Sequence, residues 1–219
     1  MIEAIQLASY HQSPDEMARS FDRGLLVISP EALGLSFNDY IAELNGIYDR
    51  CLDESQVASY EEKYVDHHDI DFADRVPAPL GFRPESDQDA IRMDIIGLEI
   101  GQIIEPFTRR KVVSVSDHQF LTYPHEKSGI GPHRDHSSSN GLRVAMPIFG
   151  ESRFSSANYT RVLSYPVAGL EHLRARQIFR ILSSDLIIQN PGKAVEHEVF
   201  TDTVGRVTAI WNFRTYPGV

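Results

Sequence analysis

The chain has 219 residues, 42% of them hydrophobic, and a formal net charge of -10, which suits one domain with a sizeable core and disfavours nucleic acid as a partner. A single cysteine, Cys51, excludes an internal disulfide and a thiolate metal cage. Met1-Ile2-Glu3-Ala4 lacks the basic and apolar regions of a signal peptide, and no window approaches a membrane span, so a soluble cytoplasmic protein with no membrane partner is expected.

Ser13-Pro14-Asp15-Glu16 predicts a helix start, with Ser13 as N-cap and proline in the first turn. Gly24-Leu25-Leu26-Val27-Ile28 reads as a short buried strand. From about Ser36 to Leu52, Ile41, Leu44, Ile47, Tyr48 and Cys51 recur at helical spacing. Residues 60–90 are charged, contain prolines and lack periodicity, so a long loop that could act as a lid is expected there. A further helix runs from about Asp87 to Thr108, with Ile91, Ile95, Leu98, Ile103 and Phe107 along one side. The basic run Arg109-Arg110-Lys111 at its end reads as a solvated helix terminus. Val112 to Tyr123 is a long strand by its β-branched and aromatic content. Shorter strand-like runs follow at Ile130–His136, Leu142–Phe149, Gln177–Leu182, Leu186–Gln189, Val195–Phe200 and Arg206–Tyr216. Helices in front of many short strands predict an α+β fold whose second half is a barrel or sandwich; a double-stranded β-helix (jelly-roll, cupin-like) fits the count.

In a strand, residues i and i+2 share a face, so His133 and Asp135 can address one ion together while Arg134 points away. His197 stands in a later strand-like run and supplies a third ligand. Two histidines and one carboxylate leave positions open on a ferrous ion, although zinc tolerates the same three donors. Arg206 follows His197 by nine positions, and Thr208 shares its strand face. The planar guanidinium fork matches a carboxylate, and the threonine hydroxyl adds a donor.

The ordered set Tyr123-Pro124, His133-x-Asp135, Ser184-Asp185-Leu186-Ile187, His197 and Arg206-x-Thr208 resembles the 2-oxoglutarate and iron(II)-dependent oxygenase superfamily, over roughly residues 112–216. A single oxygenase domain over residues 1–219 is expected, with 1–111 a mainly helical elaboration with an early strand and 112–219 the β-helix core carrying the metal site. The resemblance implies Fe(II) held by His133, Asp135 and His197, 2-oxoglutarate as co-substrate anchored by Arg206 and Thr208, and O2 as oxidant. The threonine stands where the family's Arg-x-Ser motif has serine. Retention of Asp135, which halogenases of this superfamily replace with a small residue, favours hydroxylation or another oxidation, and hydroxylation of an unactivated C–H bond is the expected reaction.

Tyr123 and Gln119 share a strand face and could reach the co-substrate carboxylate. Arg143 follows the metal motif much as an arginine does in the aspartyl/asparaginyl and free-proline hydroxylase branch, and could bind a carboxylate of substrate or co-substrate. Ala145 stands where that branch has a histidine. Arg214 has the strand parity of Arg206 if no bulge intervenes, whereas Trp211 and Phe213 point into the core. His118, His125 and His172 lack partners in sequence, and His67-His68 lies in a polar stretch. The expected substrate is a small molecule such as an amino acid or natural-product intermediate. A peptide or protein hydroxylase, or a cupin-like metal-binding protein without oxygenase activity, are the competing readings; the last of these has no use for the Arg206/Thr208 anchor.

Overall fold

The computed structural model describes residues 3–7, 13–22, 24–52, 64–66, 75–123, 125, 128–134, 141–148, 159–167, 170–180, 184–190, 196–201 and 205–218. Among these, three α-helices precede most of the strands: α1 (Pro14–Asp22), α2 (Asn38–Cys51) and α3 (Asp87–Thr108). A capping box starts α1, where Ser13 Oγ accepts from the Glu16 backbone N–H at 3.3 Å and Glu16 accepts from the Ser13 N–H at 2.8 Å. Helix α3 is capped by Ser86, whose hydroxyl accepts from the Asp89 N–H at 3.1 Å, and ends at Arg109 in the left-handed region with φ 50°.

The strands are β1 (Glu3–Leu7), β2 (Leu25–Ile28), β3 (Tyr64–Asp66), β4 (Arg75–Pro77), β5 (Leu80–Phe82), β6 (Arg110–Tyr123), β7 (Ser128–Arg134), β8 (Gly141–Pro147), β9 (Tyr159–Val167), β10 (Leu170–Arg180), β11 (Leu186–Gln189), β12 (Glu196–Thr201) and β13 (Arg206–Pro217). A six-stranded sheet has the order β2-β11-β8-β13-β6-β5, and a five-stranded sheet has the order β1-β10-β9-β12-β7. Pairing is antiparallel except between β1 and β10. From β6 onward the chain passes back and forth between the two sheets, so segments distant in sequence become neighbours.

Strand alternation decides which side chains meet the helices. On β13, Val207, Ala209 and Trp211 turn to the buried core beneath α3, while Arg206, Thr208 and Ile210 turn to the other face. The outer core joins Leu142, Val144 and Met146 of β8 and Leu186 and Ile188 of β11 to Met93, Ile96 and Ile100 of α3. Trp211 Nε1 donates to the Met93 carbonyl at 2.9 Å. A Cβ on Gly97 would sit 2.5 Å from Trp211 Cδ1, so the close approach of α3 to the sheet needs a residue without a side chain. Tyr48 of α2 reaches the same layer through a 2.7 Å hydrogen bond between its hydroxyl and that of Thr122.

Several expectations are corrected here. Residues 60–90 are not simply a loop: β3 and β4 pair with each other, and β5 forms an edge of the six-stranded sheet against β6. β1 and β9 are strands where none was expected, and β10 begins at Leu170, well before the expected Gln177. The apolar side assigned to α3 was misplaced, because Ile91 is 60% exposed and the buried side runs through Met93, Ile96, Ile100 and Ile104. Arg110 is no solvated helix end: it opens β6, lies over the Phe21 ring and donates to Asn190 Oδ1 at 3.3 Å. Among the described residues no helix is long and apolar enough to cross a membrane.

Candidate functional site

The register of the six-stranded sheet arranges its inner face in rows. Arg206 stands opposite Tyr123, and Thr208 stands between Leu121 and Pro147. Next comes a row of Ile210, Ala145 and Ile187, with Gln119 at its β6 end. The row beyond it holds Asn212, Arg143 and Gln189. In the facing sheet, the β12–β7 ladder sets His197 directly opposite His133.

A cavity lies between the two sheets, with about 410 Å³ of empty space including its mouth. The six-stranded sheet lines it with Tyr123, Arg143, Gln189, Arg206 and Thr208, among others, and the five-stranded sheet with Ile130, His197 and Val199. The described lining contains two arginines and no carboxylate. An anion is therefore the ligand its charge favours.

Arg206 is 1% exposed, and its guanidinium carbon lies 5.2 Å from the centre of the Tyr123 ring. Burial lowers the arginine pKa, opposed by the attraction of Tyr123. The guanidinium remains charged regardless, because arginine does not deprotonate in proteins. Burial likewise raises the Tyr123 pKa, with Arg206 and Arg143 pulling the other way, so the phenol is a neutral donor at physiological pH. Thr208 Oγ1 and Gln189 Oε1 are buried and make no hydrogen bond to any described residue. Two buried polar atoms left unmatched on one cavity wall are the mark of a site shaped for a polar ligand.

His197 is 3% exposed, and its Nε2 accepts from Gln189 Nε2 at 2.9 Å, a contact that joins the two sheets across the cavity. The imidazole thus presents Nε2 toward the cavity. Among the described residues no three metal-ligating side chains form a cluster. Asp135 lies outside the described residues, and His133 is described by its backbone and register.

Of the residues singled out from sequence, Tyr123, Arg143, His197, Arg206 and Thr208 share the cavity. Gln119 is not in its described lining; its amide instead lies beside Gly81 of β5, at the sheet edge. Arg214 is exposed at the far end of β13, beyond the cavity. His118 has a partner that sequence did not show, Asp94 of α3, at 2.7 Å. His67-His68 lies outside the described residues. Sequence reasoning missed Gln189. Its strand reads Leu186-Ile187-Ile188-Gln189, apolar on both faces, so only the observed register reveals that Ile187 and Gln189 turn inward.

No protein-family model and no curated protein matches the sequence. Solved structures do resemble the fold. One is an oxidoreductase of the 2OG-Fe(II) oxygenase family from Burkholderia pseudomallei, at 13% identity and TM-score 0.67, spanning 100% of this chain and 98% of that one. Another is a prolyl-4-hydroxylase from Pseudomonas putida, at 11% identity and TM-score 0.55, spanning 92% and 98%. A third is the epimerase SnoN in complex with Fe3+, alpha ketoglutarate and nogalamycin RO, at 11% identity and TM-score 0.58, spanning 94% and 86%. At these identities the likeness is one of fold.

Proposed function

From the premise of a fold shared with the 2OG-Fe(II) oxygenases, we propose that this chain is a 2-oxoglutarate-dependent non-haem iron(II) oxygenase that hydroxylates a small molecule. The observation that carries the reading is one inter-sheet cavity with His197 on one wall and buried Arg206 and Thr208 on the other. The strand order supports a double-stranded β-helix: β6, β8, β11 and β13 share one sheet, while β7, β9, β10 and β12 share the other.

His133, Asp135 and His197 would hold Fe(II). The donor set fits: a buried imidazole turned to the cavity, a second histidine opposite it in the ladder, and a carboxylate two positions further on. When bound, iron and 2-oxoglutarate together supply oxygen activation, the co-substrate leaving as succinate and carbon dioxide.

The chain's own residues have a separate task. Arg206 grips the far carboxylate of 2-oxoglutarate with its planar fork, which its stacking on Tyr123 holds in place. The Thr208 hydroxyl, which no described residue engages, donates to that carboxylate. Tyr123 keeps its proton and seals the cavity floor against water. Ile210, Ala145 and Ile187 give the substrate an apolar bed between Thr208 on one side and Arg143 and Gln189 on the other. Arg143, at the opposite row from Arg206, binds a carboxylate of the substrate.

The test is turnover of 2-oxoglutarate to succinate with Fe(II) and O2, compared between the wild type and His197→Ala. Succinate release by the wild type, with loss of at least a hundredfold in the variant, supports the assignment. Equal release by both places the metal elsewhere.

A further inference from the structure

We propose that Gln189 is a removable cap on the metal-facing nitrogen of His197, displaced when the site is loaded. The inference rests on the reading of His197 as a ligand and adds a residue that no motif assigns.

An imidazole nitrogen carries a single lone pair, in the ring plane, and it can serve a hydrogen-bond donor or a metal ion but not both. At His197 that position is taken by the Gln189 carboxamide at 2.9 Å. Turning the amide end for end changes nothing: its oxygen would then accept from a protonated Nε2, which is equally closed to a cation. His197 is 3% exposed, with Ile130, Ile187 and Val199 around the same cavity, so this hydrogen bond lies in a largely apolar setting. The carboxamide is free to leave, because its Oε1 makes no hydrogen bond to a described residue. The 2.9 Å contact is the side-chain bond that holds it. Its backbone is fixed meanwhile by the β11 ladder, opposite Arg143 on one side and Leu25 on the other. Only the side chain has to turn.

Each metal ion bound therefore costs one buried hydrogen bond, and removing the cap should tighten metal binding. Calorimetric titration of the full chain with Mn(II), used in place of iron, reads this without turnover. Gln189→Leu, of similar size but with no donor, should bind Mn(II) roughly two- to tenfold more tightly than the wild type, the net worth of one such bond. Binding by the wild type with equal or weaker binding by Gln189→Leu overturns the cap. No Mn(II) binding by the wild type overturns the site reading itself. A second measurement does not depend on that variant folding. In protein labelled with 15N-glutamine, the side-chain amide signal that disappears in Gln189→Asn should shift when Zn(II) is added to the wild type. An unmoved signal overturns the proposal.

Discussion

Arg206 concentrates the energetics of the site. Its charge is 1% exposed, and such a cation is tolerable where an anion can be brought to it. Arg206→Ala should therefore raise the 2-oxoglutarate requirement by an amount equivalent to about 2–5 kcal/mol, by analogy with truncated buried charge pairs. An initial-rate series in 2-oxoglutarate measures it. Thr208→Val separates binding from folding. The hydroxyl has no described partner, so urea unfolding should change by less than about 1 kcal/mol, while 2-oxoglutarate affinity should fall roughly tenfold. A variant that loses stability and keeps affinity would show that the hydroxyl belongs to the fold. Cys51 makes a pH prediction. Burial pushes its thiol up to about 11 from an ordinary 9.0. Because the folded value is the higher, its stabilising contribution is intact below pH 9.0 and is lost as pH rises toward about 11. Cys51→Ala should flatten that alkaline limb in melts taken across the interval, and an unchanged limb would assign it to another group. At this scale the sequence was informative wherever parity alone decides the face: Arg206 and Thr208 share a face because their strand is regular there. It was silent about Gln189, whose strand is apolar on both sides, and parity alone pointed to Gln119, which stands at the sheet edge and is not in the described lining.

At the scale of elements, α3 and β13 act as one unit, since Trp211 and Gly97 bring the helix against the back of the strand that carries Arg206 and Thr208. Gly97→Ala should force the pair apart and cost about 1–3 kcal/mol in urea unfolding, as overpacking does. Unchanged stability would mean that the indole can move without cost. Elements with strong local signals were readable: the Ser13 capping box, the periodic α2, the long β6. Those built on distant pairing were not. β1 owes its existence to β10, some 170 residues away in sequence, and has only five residues. β5 is three residues between prolines, too short for a period to show. The buried side of α3 was misassigned because the helix is apolar on more than one side, and periodicity cannot then say which side meets the sheet.

For the whole molecule, the back-and-forth path of the chain is what brings a site together. His133 and His197 are 64 positions apart in sequence yet opposite each other in one ladder, while Arg206 belongs to the other sheet. In the function we propose, the cavity between those sheets binds an anion beside a metal, and one measurement tests that claim directly. Under anaerobic conditions, Fe(II) and 2-oxoglutarate are added together and the visible absorption is followed for the wild type, His197→Ala and Arg206→Leu. A weak charge-transfer band should grow with the wild type, be absent with His197→Ala, and need far more 2-oxoglutarate with Arg206→Leu. No band with the wild type, or identical titrations for wild type and Arg206→Leu, would contradict the account.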